Sequence, residues 1–449
     1  MGRLFGTDGV RGIANSYLTC ELALKIGRAT GKVLSNGRRR RLLFCIGMDT
    51  RISSDMLCFS LASGLCSIGA DVILLGVVPT PAVAFLVGKY KADAGIMVSA
   101  SHNPAEYNGI KIFSGDGYKI PDALEEEIEE IVLNNNSVIR YTGHDIGKVI
   151  YSSKAIPDYL THLKSTVMNS LEGLHIAVDC ANGSASVSAK QLFEKLGATA
   201  SILHDQPDGV NINDTCGSTH LNSLREYVLQ NKLDAGVAYD GDADRCICID
   251  EKGNIVDGDF IMAICAKDMK ERGKLSKNTV VGTVMTNMGF AKFCKDNEIA
   301  YVATKVGDRF VLEEMLQEGY NFGGEQSGHI IFSDYASTGD GQLTSIQLLS
   351  LMKRSGKKLS ELAQAMKQYP QTMINLTVTN EGKLSFYTDP QIKEAIETAK
   401  KQFGENGRIV VRPSGTEPFI RIMTEGEDYD LTVQVAEEIK AIIQRRLCK

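Results

Sequence analysis

Asp240, Asp242 and Asp244 alternate with small residues in the segment Asp240-Gly-Asp-Ala-Asp-Arg245. Apolar, strand-forming runs flank it, 235–239 before and 246–249 after, which places the acids on a tight loop at a strand's end. Carboxylates so close repel one another unless a cation lies between them, and an all-oxygen set selects Mg²⁺ or Ca²⁺. Glu251 falls where an EF-hand would place its last ligand, but Arg245 stands where that loop requires glycine, and strands replace the flanking helices. Three further loops carry reactive or binding groups. Ser99-Ala-Ser-His-Asn-Pro104 follows the apolar run 94–98 and brings hydroxyls and an imidazole to a strand's end. It lacks the Gly-x-Ser-x-Gly of a hydrolase elbow, and adjacent Ser and His are not by themselves a triad. Gly323-Gly-Glu-Gln-Ser-Gly-His329 combines glycines, which let a ligand approach the backbone, with side chains that match sugar hydroxyls. Arg412-Pro-Ser-Gly-Thr-Glu-Pro418, with Arg421 nearby, holds the parts of a phosphate cradle: a bidentate arginine, hydroxyls and an unencumbered backbone. Each loop alone also reads as an ordinary turn. Together they supply a metal site, a serine nucleophile, hydroxyl recognition and a phosphate clamp, which points to phosphoryl transfer on a sugar phosphate.

A repeated element pattern positions these loops. Strand, polar loop, helix, tight turn and strand recur at 42–46/57–67/72–75, at 175–178/187–195/200–203 and at 279–284/290–295/299–302. Units of this length predict βαβ crossovers and mixed or parallel sheets. Copies more than about 100 residues apart are related domains, not a solenoid. The Asn-rich stretch 134–137 precedes a boundary near residues 154–157, and Asp257-Gly-Asp259 opens a long helix and a third domain. After Pro370 the character changes, with a strand over 373–378 and helices over 390–401 and 431–447. The expectation is an α/β protein with domains at 1–155, 156–256 and 257–370, and an α+β domain at 371–449.

The 449 residues exceed one core and predict about three or four domains. A net charge of −6 gives no general attraction to nucleic acid or anionic membrane, and the run Arg38–Arg41 reads as a solvated connection. Eleven cysteines with no Cys-x-x-Cys, several inside apolar runs (Cys45, Cys246, Cys248, Cys265), read as buried thiols in a reducing cytoplasm. The first residues show no secretory h-region, and Gly6 stands where a myristoylation motif needs Ser or Thr. The greasiest stretch, 72–88, is short and broken by Pro79 and Pro81, so no membrane span is expected.

The four motifs, in this order, resemble those of the α-D-phosphohexomutase superfamily across essentially the whole chain. The segments at 5–12, 79–82, 99–104 with 108–111, 208–214 with 216–220, 240–245, 282–285, 323–329 and 412–418 carry the resemblance. Gly-Thr-Asp-Gly-Val-Arg-Gly12 and Gly-Glu-Gln-Ser-Gly-His329 are similar to the form acting on glucosamine phosphates. The resemblance implies three related α/β domains and a C-terminal α+β domain around a central cleft. It also implies interconversion of glucosamine 6-phosphate and glucosamine 1-phosphate on the way to UDP-N-acetylglucosamine and the cell wall. Ser101 corresponds to the family's phosphoserine, and one Mg²⁺ is held by its phosphoryl group with Asp240, Asp242 and Asp244. Arg245 is expected to contact the phosphoserine, and Glu325 and Ser327 to read hydroxyls. Arg412, Ser414, Gly415, Thr416 and Arg421 are expected to grip the distal phosphate. Arg11, Lys111 and His329 all remain open for proton transfer, whereas His102 shapes its loop. Glucosamine 1,6-bisphosphate or glucose 1,6-bisphosphate is implied as priming activator, with a cytoplasmic homodimer as the assembly. The alternatives are a phosphomannomutase or phosphoglucomutase, a phosphatase using Asp240 as nucleophile, and a non-catalytic Ca²⁺-binding protein.

Overall fold

Fully apolar runs such as 94–98 and 235–239 become strands buried on both faces, as expected for parallel strands covered by helices. The computed structural model describes residues 4–6, 8–35, 40–134, 138, 140–404, 406–414 and 418–447. They divide into two compact units, 1–284 with 299–365 and 285–298 with 366–449.

The larger unit contains three sheets. The first is built from β1 (Val10–Ile13), β2 (Leu43–Met48), β3 (Asp71–Val77), β4 (Ala94–Val98), β5 (Tyr107–Ser114) and β6 (Val149–Tyr151), in the order β1-β5-β4-β2-β3-β6. The second contains β7 (His175–Asp179), β8 (Thr199–Leu203), β9 (Ala235–Tyr239), β10 (Cys246–Asp250) and β11 (Ile255–Val256), ordered β11-β10-β9-β7-β8. The third contains β12 (Thr279–Thr283), β13 (Ala300–Thr304), β14 (Phe322–Gly324) and β15 (Ile330–Phe332), ordered β13-β12-β14-β15. The repeat read from the sequence is the parallel pair β2/β3, β7/β8 and β12/β13, each joined through a helix.

The three sheets share more than that pair. In each, the leading strand also pairs in parallel with a further strand, which then turns back into an antiparallel hairpin: β4/β5, β9/β10 and β14/β15. The hairpin turns are the Ser101, Asp240–Asp244 and Glu325 loops. Parallel strands point their carboxyl ends to one edge, and ligands collect there. Three conspicuous loops of unrelated composition thus occupy one topological position.

Helices pack onto the sheets by their apolar faces. In the first sheet Phe44, Ile46, Val72 and Ile96 bury against Ile26, Leu57, Leu61 and Leu65 of the helices Cys20–Leu34 and Ile52–Ser67. Thr19 and Asp257 cap the helices Cys20–Leu34 and Gly258–Glu271 through their side-chain oxygens. The stretch 72–88 is strand β3 followed by the helix Thr80–Lys89, and no described helix is long and apolar enough to cross a membrane. Arg40 and Arg41 are exposed and also clasp acids, Arg40 donating to Asp93 at 2.5 and 2.9 Å and Arg41 to Asp71 at 3.1 Å. Arg38 and Arg39 lie outside the described residues.

The smaller unit is an antiparallel sheet of β16 (Gln371–Thr377), β17 (Gly407–Pro413) and β18 (Phe419–Gly426), with β18 central. Its core joins Ile420 and Ile422 to Ile392 and Phe403 of the helix Pro390–Phe403 and to Val435 and Ile439 of the helix Tyr429–Leu447. The helix Met288–Asp296, which connects β12 to β13 in sequence, belongs to this smaller unit. The Asn287 side chain caps it and exchanges hydrogen bonds with the Tyr369 backbone at 2.9 and 3.0 Å.

Candidate active site and metal centre

Ser101 lies at the tip of the β4–β5 turn with a left-handed backbone, φ +53°. A non-glycine residue there stores strain on the order of 1–3 kcal/mol unless its surroundings hold it. They do. Ser99 Oγ donates to Asp49 Oδ2 (2.7 Å) and accepts the Ser101 N–H (3.0 Å). Arg51 donates to the carbonyls of Ser101 (2.9 Å), Asn103 (2.8 Å), Tyr107 (3.0 Å) and Pro104. Asn213 donates to the Ser101 and Asn103 carbonyls from the other side, at 2.9 and 3.1 Å. The Asp49–Arg51 pair is fully buried, at 2.8 Å. Removing one partner of such a pair costs about 3–5 kcal/mol, because the other charge is left without compensation.

The clamp aims the hydroxyl of Ser101 at the acidic loop, where it donates to Asp240 Oδ2 at 2.6 Å. Gly241 makes this approach feasible, since a Cβ there would meet the Ser101 carbonyl oxygen at 2.6 Å. Asp242 Oδ2 accepts from Thr80 Oγ1 (2.6 Å) and Lys111 Nζ (2.8 Å). One oxygen from each of Asp240, Asp242 and Asp244 fits within a 4.8 Å spread. Asp242 Oδ1 and Asp244 Oδ1 are buried with no hydrogen-bond donor. Buried carboxylate oxygens without donors, on an all-oxygen set, fit a hard divalent cation. Burial, then the charges of Asp244 and Asp242, push the Asp240 carboxyl well above the usual range, which a bound cation would reverse.

A ring of charge surrounds the triad. Lys111 reaches Asp242, Asp8 (3.2 Å) and Asp244 (3.4 Å), and these carboxylates keep it charged despite its burial. Asp8 also binds Arg11 and Lys119 (2.5 Å), and Lys119 bridges onward to Asp308 (2.6 Å). Arg11 reaches the nucleophile loop through Asn103 Oδ1 at 3.3 Å. Arg245 Nε stands 3.9 Å from both Asp240 and Asp244, so Arg245 and the Ser101 hydroxyl share Asp240. His329 Nδ1 faces Asp244 at 3.7 Å, while its Nε2 accepts the Gly339 N–H at 3.0 Å, which places the ring proton on Nδ1. Burial opposes a second proton, but Asp244 and Asp308 outweigh it and raise the pKa to about 9, at the cost of the Gly339 bond.

The third loop is a closed hairpin turn in which Glu325 N–H donates to the His329 carbonyl and Gly328 N–H to the Glu325 carbonyl, both at 3.0 Å. Glu325 Oε1 accepts the Gly307 N–H at 3.1 Å, and Ser327 is exposed. Burial, then Asp308, raises the Glu325 pKa. In the smaller unit Arg412 and Arg421 sit directly opposite on β17 and β18. Lys383 donates to the Ser414 carbonyl at 2.8 Å, adding a third cation. Gly415 and Thr416 lie outside the described residues.

Four family models cover most of the chain: phosphoglucomutase/phosphomannomutase alpha/beta/alpha domain I at residues 2–138, domain II at 157–253, domain III at 257–369 and the C-terminal domain at 373–442. The chain is 54% identical over 447 residues, with 100% of both sequences covered, to a phosphoglucosamine mutase of Caldanaerobacter subterraneus subsp. tengcongensis. The chain belongs to the phosphoglucosamine mutase family. It is an enzyme of the isomerase class. Its fold matches a phosphoglucomutase/phosphomannomutase family protein from Burkholderia thailandensis (TM-score 0.81, 22% identity, 98% and 97% of the two chains). It also matches Aspergillus fumigatus N-acetylphosphoglucosamine mutase in complex with GlcNAc-6P and magnesium (TM-score 0.68, 16% identity, 98% and 95%).

Within this family's site the sequence reading named Ser101, the three aspartates, Arg11, Lys111, Arg245, Glu325 and His329, and all of these belong to the larger unit. It missed Asp8, Asp49, Arg51, Thr80, Lys119, Asn213 and Asp308. Asp49 and Arg51 had a signal: they follow β2 at the same strand edge as Ser99 follows β4. Glu251, the EF-hand coincidence, is engaged elsewhere, accepting from Ser360 Oγ at 2.5 Å and Ser360 N at 3.2 Å.

The clamp makes a prediction. Asn213→Ala keeps the Arg51 contacts but releases one side of the loop, so kcat should fall roughly ten- to a hundredfold with KM little changed. Stability should drop by about 2–3 kcal/mol, from two lost hydrogen bonds and an alanine placed in a left-handed backbone. Steady-state kinetics with a urea melt checks this, and unchanged kcat would remove Asn213 from the positioning set.

Proposed function

We propose that the protein interconverts glucosamine 6-phosphate and glucosamine 1-phosphate through a phosphorylated Ser101 and glucosamine 1,6-bisphosphate, supplying UDP-N-acetylglucosamine and cell-wall synthesis. The observation that carries this is the Ser101 hydroxyl held 2.6 Å from Asp240, beside a carboxylate triad, in a chain 54% identical to a phosphoglucosamine mutase.

Asp240, Asp242 and Asp244 hold the cation together with the phosphoryl group on Ser101, and Mg²⁺ is the ion that an all-oxygen site beside phosphate suits best. When bound, Mg²⁺ offsets negative charge on the transferring group. The free sugar hydroxyl attacks the phosphorus of phosphoserine 101. The bond from phosphorus to Ser101 Oγ breaks and the serine oxygen takes up a proton, while the attacking hydroxyl's proton passes to the neutral form of His329, with Arg11 and Lys111 staying charged beside it. The bisphosphate then reorients, and Ser101 Oγ takes the other phosphate by the reverse steps, leaving the isomeric monophosphate. The 1,6-bisphosphate of glucosamine or glucose can prime an unphosphorylated Ser101 by the same chemistry. Arg245 contacts the phosphoserine. Glu325 and Ser327 read sugar hydroxyls. Arg412, Ser414, Gly415, Thr416 and Arg421 bind the phosphate that is not reacting. Cytoplasmic residence and a homodimeric assembly complete the reading, and light scattering after size exclusion checks the second.

A coupled assay comparing glucosamine, glucose and mannose phosphates tests the assignment. Glucosamine phosphate should give the highest kcat/KM, and a preference for mannose or glucose phosphates would move the protein to a sister activity. A paired substitution separates the two recognition roles. Loss of a charge-assisted phosphate contact costs about 1.5–3 kcal/mol, or roughly ten- to a hundredfold. Arg412→Ala should therefore weaken every sugar phosphate by a similar factor, because each carries that phosphate. Glu325→Ala should change the ranking of glucosamine against glucose phosphates. Exchange of these two outcomes would reverse the assignment.

A further inference from the structure

A second group of metal-ligating side chains lies outside the triad. Asp179 ends β7, His204 follows β8, and Cys216 sits in the loop between β8 and the helix Asn222–Asn231. Ligand atoms of the three lie within 4.8 Å of one another. Asp179 and Cys216 are completely buried, and His204 is half-buried, which leaves a way in from solvent.

Three observations go beyond proximity. The Asp179 carboxylate is oriented by backbone donors, Ala181 N–H at 2.8 Å and Gly217 N–H at 3.0 Å, as ligating carboxylates are oriented by their outer contacts. His204 Nδ1 lies 3.0 Å from Asp179 Oδ2, so the imidazole already faces the carboxylate inside the cluster, and that contact raises its pKa. The surrounding backbone is held in left-handed conformations at Ala181, Asn182, His204, Asn213 and Thr215, with φ from +48° to +59°. Such strain gathers where a structure is over-determined for a purpose. Gly217, at φ +75°, has no room for a side chain, since a Cβ would lie 2.6 Å from that of Ala181.

The charges acting on the group are carboxylates, Asp179 and Asp214 on Cys216 and Asp179 and Asp205 on His204. Burial, then these acids, pushes the Cys216 thiol up to about 12, so without a cation it stays protonated. A divalent ion would relieve the accumulated negative charge.

We propose that Asp179, His204 and Cys216 bind one divalent cation of the Zn²⁺ class through a carboxylate oxygen, an imidazole nitrogen and the thiolate sulfur. Oxygen, nitrogen and sulfur together select a borderline ion and discriminate against Mg²⁺, so this site and the aspartate triad take different metals. On binding, Cys216 loses its thiol proton to solvent and the sulfur forms the metal bond, while His204 gives up the proton it shares with Asp179 and supplies the freed nitrogen lone pair. The ion would tie the ends of β7 and β8 to the segment 211–217. Asn213 of that segment holds the Ser101 and Asn103 carbonyls, so metal occupancy braces the nucleophile loop.

The test uses full-length protein stripped by chelator and then kept in saturating Mg²⁺ to occupy the triad. Titration with Co²⁺ should give one equivalent showing sulfur-to-cobalt charge-transfer absorption. Cys216→Ser should abolish that band, and His204→Gln should weaken the affinity by roughly ten- to a hundredfold. Zn²⁺ should displace the cobalt and raise Tm. Absence of the band in the unsubstituted protein, which needs no variant to fold, overturns the proposal. A band that persists in Cys216→Ser places the thiolate elsewhere and overturns it equally.

Discussion

Replacing Ser101 with alanine should abolish mutase turnover and leave the protein folded. The serine hydroxyl is the group of its loop that faces the triad, donating to Asp240 at 2.6 Å. Ser99 cannot take over, because its hydroxyl is committed to Asp49 at 2.7 Å and to the Ser101 N–H at 3.0 Å. Without a nucleophile to carry the phosphoryl group, no acid, base or metal nearby restores a covalent route. The fold survives because the backbone clamp from Arg51 and Asn213 grips carbonyls, not the side chain that is removed. The loss in stability should be about 1 kcal/mol, the worth of one hydrogen bond. Intact-mass measurement should find one phosphate on the unsubstituted protein and none on the variant. Phosphate persisting with Ser101 gone would show that another residue carries it.

Asp242→Asn should lower turnover by roughly a thousandfold, since a cation assisting phosphoryl transfer contributes several kcal/mol to the barrier. The substitution keeps the shape but exchanges a charged oxygen for an amide. Oδ2 already serves Thr80 and Lys111, so the amide NH₂ either meets those donors or turns towards the cation. Both placements are unfavourable. Lys111 keeps Asp8 at 3.2 Å and Asp244 at 3.4 Å, so its buried charge is not orphaned and the fold holds. Turnover measured across a Mg²⁺ titration should not recover at saturation. Full activity of the unsubstituted enzyme after EDTA treatment, with no metal added back, would sink the metal assignment itself.

What the sequence disclosed and what it withheld follow from contact range. The Asp240–Asp244 loop was readable because its carboxylates are sequence neighbours between two apolar strands. The three βαβ copies were readable because period-two and helical patterns are local. Asn213 lies within the 208–214 motif, but its role is invisible there, since its partners Ser101 and Asn103 lie more than 100 positions away. Thr80 meets Asp242 across a sequence separation of 162. Lys119 and Asp308 are separated by 189 positions, and neither stands in a conspicuous motif. Pairings of this kind arise only when sheet edges are brought together. The equivalence of the three hairpin turns is likewise hidden, because their residues share no common motif while their strand order agrees.

The helix Met288–Asp296 sits between β12 and β13 in sequence but is part of the unit formed by residues 366–449. During synthesis it is made roughly 130 residues before Glu425, which accepts the Met288 N–H, a delay of roughly 6–26 s at usual elongation rates. Through that interval Phe290, Phe293 and Cys294, buried in the finished protein, wait without their full cover. Nascent chains of this enzyme should therefore recruit chaperones at residues 288–296 until the strand carrying Glu425 has been made. A frameshift or stop codon after residue 370 would leave that helix permanently exposed, making late truncations targets for proteolysis rather than shortened enzymes.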